Sequence, residues 1–272
     1  MPASQPPGEA SDPLRIAVLG FGEAGREIAR DLVAAGADVR GFDPLVVPPQ
    51  GVVARIDDAD AVRDADLVLS VNSAHDAIPA LDNALPSLRD GAIWADLNTA
   101  APSVKAALAN RLAGRPIAVV DVALLAPVPG RGLRTPMLVS GDGDGAERYA
   151  EIMITLGAQV TVQAGPAGAA ISRKLLRSVF YKGLAAAVVE ALAAAEASGC
   201  EKWLYDSISA ELTSFDKHTI DRLVTGTHRH ARRRVDEMAA ASEQLRELGV
   251  QPRIATAAHD LLVELRDQET YA

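Results

Sequence analysis

Lys174 is the residue of this chain whose surroundings most suggest chemistry. It lies in the segment GPAGAAISRKLLRS, at the start of a long run of small and apolar residues. Ser178 and Tyr181 follow at i+4 and i+7 and so share one helix face with it. In a cleft, the like charges of Arg173 and Arg177 and the loss of water would favour the neutral amine, the form that acts as a general base. Without further context, a solvated lysine on a helix surface is the simpler interpretation.

A glycine pattern near the N-terminus predicts a dinucleotide site. Gly20, Gly22 and Gly25 in VLGFGEAG form G-x-G-x-x-G between a predicted strand and a predicted helix. The first glycine permits a tight turn, the second lets the backbone approach a pyrophosphate, and the third lets helix pack on strand. Unpaired N–H groups at the helix N-terminus would face the phosphates. The cofactor-binding residues expected from this pattern and the following strand ends are Gly20, Phe21, Gly22, Glu23, Ala24, Gly25, Asp43, Val71 and Asn72.

Asp43 bears on the type of cofactor. It ends the second predicted strand, where a carboxylate accepts hydrogen bonds from the adenine ribose hydroxyls. A carboxylate would repel the 2′-phosphate of NADP, and no Arg follows it closely, so we expect NAD. NADP stays possible if Arg40 is recruited. The alternative is that the glycines only shape a strand–helix turn.

The composition is that of an ordinary globular chain. Of 272 residues, 49% are hydrophobic and 23% are charged, and the net charge of −9 makes nucleic acids and anionic membranes poor partners. The single Cys200 cannot form an intrachain disulfide and no zinc-type spacing occurs, so we expect no metal site and a cytoplasmic location. The most apolar stretch contains Glu190 and Glu196, and we expect it to be too polar to span a membrane.

Strand and helix signals alternate from Leu14 to about Gln163, and only helix signals follow. This order predicts an α/β protein, with an N-terminal Rossmann domain of doubly wound, mainly parallel sheet followed by an all-α domain. The predicted organisation is a disordered tail over 1–13, an NAD(P)-binding Rossmann domain over 14–164, and a helical substrate and dimerisation domain over 165–272.

An Ala-rich helix is predicted from Gly168 to about Ser198. It is too long and too apolar for one small helical domain to cover, so we expect a homodimer. We also expect one helical stretch around 219–248, an N-cap at Ser103, and core positions for both tryptophans, Trp94 and Trp203.

Three segments together resemble the β-hydroxyacid dehydrogenase and 6-phosphogluconate dehydrogenase superfamily. GFGEAGREIARDL is similar to its opening fingerprint, and DLNTAAP (96–102) to its D-x-S-T-x-x-P substrate loop. GPAGAAISRKLLRS resembles its G-x-G-x-x-x-K-x-x-x-N segment, which in the family starts the interdomain helix and carries the catalytic lysine. The run from Lys174 to Gly199 looks closest to a branch with a short helical C-terminal domain.

The resemblance implies an oxidoreductase that transfers a hydride between a nicotinamide cofactor and a small, acidic substrate. That substrate would be a β-hydroxy acid or its carbonyl counterpart, with Lys174 as the proton-transfer group. An Asn in the substrate loop can donate two hydrogen bonds to a carboxylate or carbonyl. The substrate-binding residues that the resemblance implies are Asn98, Thr99, Arg177, Ser178 and Tyr181.

The chain also departs from the family pattern. Asn98 stands where the family usually has Ser, and Ser178 replaces the usual Asn beside the lysine. Aligning Asp121 with the family's Asp leaves its Ser-Gly-Gly turn without a counterpart, and Tyr181 stands where phosphogluconate enzymes carry Glu. These differences indicate that the residues of the substrate pocket differ from those usual in the family.

Two other functions stay open. Imine reductases share this architecture, but they generally place another residue at the lysine position. A non-catalytic nucleotide-binding protein is the third possible function.

The basic cluster in THRHARRRVDEM is interpreted as a solvated or dimer-contact face. Alternatively, an anion of the substrate is held by one of His228, Arg229, Arg232 or Arg233.

Overall fold

A computed structural model describes residues 14–269 of the chain, so the tail predicted to be disordered over 1–13 lies outside the described residues. The structure divides into two compact units, one ending at Leu176 and the other beginning at Arg177. This division falls inside a helix. The domain boundary predicted after residue 164 stays a prediction.

An eight-stranded sheet runs through the described part of the first unit. Its strands are β1 (Arg15–Leu19), β2 (Asp38–Phe42), β3 (Val53–Ala54), β4 (Leu67–Ser70), β5 (Ile93–Asp96), β6 (Ala118–Leu124), β7 (Met137–Gly141) and β8 (Val160–Val162). They are ordered β3-β2-β1-β4-β5-β6-β7-β8. Neighbouring strands are parallel except β6 and β7, which are antiparallel. The predicted doubly wound, mainly parallel sheet is therefore confirmed.

Helices cover both faces of this sheet. They are α1 (Glu23–Ala34), α2 (Asp58–Val62), α3 (Ala77–Ala84), α4 (Pro102–Leu112) and α5 (Gly145–Thr155). Alternate residues of β1 point to opposite faces: Val18 joins the apolar cluster that contains Ile28 of α1, and Leu19 joins the cluster that contains Leu81 of α3. A strand buried on both faces is mostly apolar, which explains the nearly continuous apolar runs in the sequence.

Helix α4 begins differently from the prediction. Its N-cap is Ala101 and Pro102 is the first helical residue, so the expected N-cap at Ser103 is wrong. Proline suits this first position because its φ is already helical and its missing N–H would have no partner within the helix.

The second unit consists of helices in the part of the chain that the structure describes. The long helix α6 (Ala169–Ala197) begins in the first unit and continues into the second. It is followed by α7 (Glu201–Thr213), α8 (Thr219–Arg229), α9 (Ala231–Glu247) and α10 (Arg253–Glu269). The stretch predicted as one helix over 219–248 is thus two helices, which meet at His230. An all-α region after the Rossmann sheet is confirmed.

Glu190 joins α6 to the start of α10. Its carboxylate accepts hydrogen bonds from the backbone N–H groups of Arg253 (2.7 Å), Ile254 (2.9 Å) and Ala255 (2.9 Å). Burial tends to raise the pKa of Glu190, but these hydrogen bonds and the charge of Arg253 outweigh it and leave the pKa below its usual value. A side chain from another helix therefore caps α10.

Much of the apolar surface of the second unit is exposed. Val189 of α6 and Trp203 of α7 are each 68% exposed, so the expected core position of Trp203 is wrong, whereas Trp94 in β5 is fully buried as predicted. By length and composition alone, α6 could cross a membrane: its most apolar window has a mean hydropathy of 1.4 and is 11% buried. Glu190 and Glu196 therefore do not exclude a span on composition, contrary to the expectation. This criterion is weak, because core helices of soluble proteins also meet it.

Candidate active site

The glycine-rich loop between β1 and α1 has the shape that its motif predicts. Gly20 has a φ of +101°, and a Cβ there would lie 2.7 Å from the carbonyl oxygen of Val71. A Cβ on Gly25 would collide with the carbonyl oxygen of Gly20, so helix and loop pack directly together. At Gly22, in contrast, a Cβ would meet nothing within 4 Å among the described residues. The loop is therefore crowded on its inner side and open at Gly22.

The open position coincides with a helix N-terminus. Gly22 is the N-cap of α1, and no side chain of the described residues caps that end. The first N–H groups of the helix are thus available to an anion. The dinucleotide's pyrophosphate fits this place, since a side chain at Gly22 would fill the space that the pyrophosphate needs.

Asp43 is more deeply involved in the fold than its sequence position suggested. One carboxylate oxygen accepts a hydrogen bond from the backbone N–H of Phe21 at 2.6 Å. The other accepts from Leu45 (2.8 Å) and Val46 (2.9 Å). Asp43 therefore ties the glycine-rich loop to the loop after β2, and it lines the adjoining cleft. Phe21 itself is fully buried, so its side chain is not available to a ligand in this arrangement.

Two clefts lie along the carboxyl ends of the strands. The first, of about 470 Å³, has Gly20, Gly22 and Asp43 in its lining. The second, of about 350 Å³, is lined among others by Glu23 and Ala24 of α1 and by Asn98 and Thr99 after β5. They share Gly22, Val71, Asn72 and Ser73. Since β1 and β4 are the strands at which the chain reverses its winding direction, this is where doubly wound sheets bind their ligands.

A hydrogen bond joins Lys174 to Thr99, which lines the second cleft. Its Nζ donates a hydrogen bond to Thr99 Oγ1 at 2.8 Å. Lys174 is half-buried and Thr99 is exposed, so a small molecule in the cleft has access to this pair. The sequence separates the two residues by 75 positions, and the structure brings them together as the predicted site requires.

Asn98 has a different role from the one expected. Its Nδ2 lies 2.6 Å from Asp96 Oδ1, 3.1 Å from Ser70 Oγ and 3.1 Å from Asn72 Oδ1, and the residue is 4% exposed. Because an amide has two hydrogens to donate, these internal acceptors already engage both. Asn98 holds Asn72 in the wall of the clefts, a role that the sequence did not indicate, and its predicted contact with a substrate stays a prediction.

A buried ion cluster underlies the site. Lys105 of α4 is 1% exposed, and its Nζ lies 2.6 Å from Asp96 Oδ2 and 3.1 Å from Asp121 Oδ1, both carboxylates being fully buried. Nζ also donates to the backbone oxygen of Asp96 at 2.8 Å. The other oxygen of Asp121 accepts from the N–H groups of Gly168 (3.1 Å) and Ile171 (2.8 Å). Together with Asp121, Lys105 thus connects the end of β5 with the start of α6, the helix that carries Lys174.

Ser140 of β7 supports the same turn from a second strand. Its hydroxyl accepts a hydrogen bond from the N–H of Ala170 and donates one to the carbonyl oxygen of Pro166, each at 3.0 Å. The start of α6 is therefore held by side chains of two strands, and this determines where Lys174 lies.

Sequence reasoning missed Lys105 and Ser140, although the sequence carries a signal for the ion cluster. Asp96 and Asp121 interrupt apolar runs that predict buried strands. Buried carboxylates need a partner, which indicates a buried cation without identifying it.

The other predicted substrate residues lie in the second unit. The Arg177 guanidinium stacks over the Tyr181 ring at 4.8 Å from its centroid, and Phe180 packs edge-on against the same ring at 5.1 Å. The predicted contacts of Arg177, Ser178 and Tyr181 with substrate stay predictions. Among residues 14–269, no group of three or more His, Cys, Asp or Glu side chains could hold a metal ion.

The basic cluster also lies in the second unit. Arg233 pairs with Glu237 at 3.1 Å, and Arg234 donates to Thr227 Oγ1 at 2.7 Å. His228, Arg229 and Arg232 are exposed, in agreement with a solvated face. A contact between this cluster and a substrate stays a prediction.

A doubly wound sheet, a glycine-rich loop and an uncapped helix N-terminus define a Rossmann dinucleotide-binding protein. Residues 15–165 match the family model described as the NAD binding domain of 6-phosphogluconate dehydrogenase. The chain therefore belongs to the family of proteins with a 6-phosphogluconate dehydrogenase-type NAD-binding domain, and the predicted resemblance is confirmed. Residues 195–265 match a domain of unknown function, DUF1932.

Solved structures extend the likeness to almost the whole chain. A conserved hypothetical protein from Sinorhizobium meliloti 1021 is 31% identical, with 93% of this chain and 88% of that chain covered and a TM-score of 0.62. A conserved protein described as structurally similar to 3-hydroxyacid dehydrogenases is 26% identical, with 94% and 98% covered and a TM-score of 0.61. An imine reductase from Aspergillus terreus is 15% identical, with 94% of each chain covered and a TM-score of 0.76, a likeness of fold. The search of curated proteins found no match.

Proposed function

We propose that the protein is an NAD-dependent dehydrogenase or reductase that acts on a small β-hydroxy acid or its carbonyl counterpart. The observation that carries the proposal is the 2.8 Å hydrogen bond from Lys174 Nζ to Thr99 Oγ1, beside a cleft that the glycine-rich loop also lines. With a dinucleotide bound, this pair would lie close to the nicotinamide half, where we propose that Lys174 acts as the proton-transfer group. The family, and the neighbour described as structurally similar to 3-hydroxyacid dehydrogenases, support the same class.

The residues that would hold the cofactor divide between the two clefts. The N–H groups at Gly22, Glu23 and Ala24 would bind the pyrophosphate, and Asp43 would accept from the adenine ribose. When bound, the nicotinamide would supply the hydride acceptor in oxidation and the hydride donor in reduction.

The charges of the first cleft favour NAD over NADP. Asp43, Asp58 and Asp76 line it, and among the described lining residues there is no lysine or arginine. The guanidinium of Arg40 donates to the carbonyl oxygen of Arg63 at 2.8 Å and lies 3.7 Å from Asp38. A 2′-phosphate would therefore meet negative charge without a cation to balance it.

Lys174 and Thr99 would divide the work on the substrate. In oxidation, the neutral amine of Lys174 takes the hydroxyl proton while the hydride leaves the same carbon; in reduction, the ammonium returns that proton to the carbonyl oxygen. Thr99 accepts a hydrogen bond from Lys174, so its own O–H can donate to the substrate's carboxylate or carbonyl. The shared bond would fix the distance between the bound substrate and the proton-transfer group.

The test is a panel of 3-hydroxy acids with NAD and NADP, run on the wild type and on Lys174→Met. Methionine preserves length and helix propensity, so the fold and NADH affinity should stay the same. Turnover should fall roughly 10²–10⁴-fold, as expected on loss of a general acid–base group. With the wild type, the oxidation rate should rise with pH, because only the neutral amine can accept the hydroxyl proton. Lys182→Met, at an exposed position of the same helix, is the matched control and should keep full activity.

Three outcomes would contradict the proposal. A Lys174→Met variant that keeps most of its activity on a verified substrate would return Lys174 to the role of a solvated charge. Turnover of imines but not of hydroxy acids would favour the imine reductase alternative. NADH binding without turnover on either panel would favour a non-catalytic nucleotide-binding protein.

We also propose that the functional unit is a homodimer formed through the second unit. Apolar side chains of α6 and α7 such as Val179, Val189 and Trp203 are 68–74% exposed in a single chain. Large apolar side chains exposed in such number on one unit favour an interaction site. A second copy is the partner that we assign to it, because the exposed Lys182 lies between Val179 and Val189 on α6 and would be costly to place in lipid.

A further inference from the structure

We propose that Asp58 and Asn83 recognise the adenine base of the cofactor through its Watson–Crick edge. The inference rests on the proposed function, and it assigns to the first cleft a specificity that the glycine-rich loop and Asp43 do not provide. Those residues contact groups common to all dinucleotides, the pyrophosphate and the ribose.

The first cleft has the apolar surface that a flat heteroaromatic base requires. Pro44 and Leu45 come to it from the loop after β2, and Pro79 and Ala80 from α3. Leu45 is 91% exposed in the protein alone. A ligand that covers this side chain removes apolar surface from water, which favours binding. The base at the end of an adenosine would provide this cover next to the ribose-binding Asp43.

A polar pair lines the same cleft. Asp58, at the start of α2, accepts a hydrogen bond from Asn83 Nδ2 of α3 at 3.1 Å between Oδ2 and Nδ2. Asp58 is half-buried, and burial raises its pKa, with the hydrogen bond from Asn83 acting against this and the charge of Asp57 adding to it. The carboxylate has therefore lost part of its hydration, which a donor on a ligand would replace.

The pair keeps hydrogen-bonding capacity for a ligand. Within the described residues, the bond to Asn83 engages one carboxylate oxygen of Asp58 and one amide hydrogen of Asn83. An acceptor on Asp58 and a donor on Asn83 remain. Adenine presents the complementary order, an exocyclic amine that donates at position 6 and a ring nitrogen that accepts at position 1.

Hypoxanthine presents the opposite order, and this makes the inference testable. Its position 6 carries a carbonyl oxygen and its position 1 carries a hydrogen, while the rest of the dinucleotide is the same. Against Asp58, an acceptor would face an acceptor, which leaves both without a partner. If the cleft recognises the base through these hydrogen bonds, it will bind NADH more tightly than reduced nicotinamide hypoxanthine dinucleotide.

The experiment is a fluorescence titration of both dinucleotides on the wild type, Asp58→Asn and Asp57→Asn, a readout that does not depend on turnover. The wild type should bind NADH roughly tenfold or more tightly than the hypoxanthine form, the range for one well-placed base contact. Asp58→Asn should lower this ratio to about threefold or less, because an amide can donate to the carbonyl at position 6. Asp57→Asn removes the same charge one residue away and keeps the side-chain oxygen that accepts from the N–H of Asp60 at 2.7 Å, so its ratio should equal that of the wild type.

The outcomes separate this inference from the proposed function. If the wild type binds both dinucleotides equally, or if Asp58→Asn keeps the wild-type ratio, base recognition by Asp58 is overturned while the dehydrogenase proposal stands. If Asp57→Asn lowers the affinity ratio of the two dinucleotides as much as Asp58→Asn does, the change is caused by net charge, and base recognition by Asp58 is again overturned. Failure of the wild type to bind either dinucleotide would overturn both. Asn83→Ala gives an independent check: it should weaken NADH binding without weakening binding of the hypoxanthine form.

Discussion

Replacing Lys105 by methionine tests whether the buried ion cluster holds the site together. The substitution removes an ammonium that lies within 3.1 Å of both the Asp96 and the Asp121 carboxylates, which are fully buried. Methionine fills similar volume, so the change is mainly one of charge. Removing one partner from a buried ion pair typically lowers the free energy of unfolding by about 3–5 kcal/mol, because the other charge is left without compensation. Here two carboxylates lose their cation, so the upper half of that range is expected.

The loss is large compared with the total stability of an ordinary domain, about 5–15 kcal/mol. It should be measured by urea unfolding with tryptophan fluorescence. Trp94 is fully buried in the first unit and Trp203 is 68% exposed in the second, so the shift in emission will report mainly on the first unit. This choice of probe matters because a chain with two units need not unfold in one step.

Lys202→Met is the matched control. Lys202 pairs with Asp206 at 2.6 Å, but the two side chains are 88% and 60% exposed. An exposed pair of this type contributes about 0–1 kcal/mol, so the control should unfold almost as the wild type does. If Lys105→Met lowers the free energy of unfolding by less than about 1 kcal/mol, the reasoning about the buried cluster is refuted.

The other predictions concern the cofactor, the helix cap and the assembly. Gly22→Val should keep the fold, since the described residues leave space for a side chain there. It should weaken NADH binding roughly tenfold or more, because the side chain would fill the space that the pyrophosphate needs. Unchanged NADH affinity in a titration would contradict the cofactor assignment. Glu190→Gln should lower thermal stability at neutral pH by about 0.5–1 kcal/mol after allowance for solvent screening. Because the folded-state pKa of Glu190 is lowered, its contribution is present above the usual value of 4.5 and is lost as the pH falls through the folded-state value, so the two proteins should converge in acid. A pH-independent difference would argue against a charge effect. Light scattering at micromolar concentration should give twice the chain mass; a stable monomer, or binding to lipid vesicles, would count against the homodimer.

The fold could be predicted largely because its signals are local. The apolar runs of the strands and the glycines at 20, 22 and 25 carry their meaning within a few residues of sequence. Strand β3 has only two residues, Val53–Ala54, both exposed, and so leaves no apolar pattern to detect. The break at His230 was missed because helix-forming residues stand on both sides of it.

The candidate site could be predicted in part, and the contacts that the sequence did not indicate share one cause. Thr99 and Lys174 come from two quoted motifs, and the structure brings them together. Asn98 was expected to donate to a substrate, but its partners Ser70 and Asn72 lie on another strand end. A motif shows which donors a residue has, whereas the acceptors that engage them depend on contacts across the sheet.

The cap that Glu190 provides to α10 also fixes the position of the start of α10 against α6. An alanine-rich helix such as α6 carries few polar side chains that could fix where the end of another helix meets it. The three N–H groups from Arg253 to Ala255 meet the carboxylate at one of these positions. A slip by one turn would leave those donors unpaired and withdraw the charge from the positive end of the α10 dipole. Glu190 thus specifies which turn of α6 the start of α10 meets, and an apolar residue there would remove that specification.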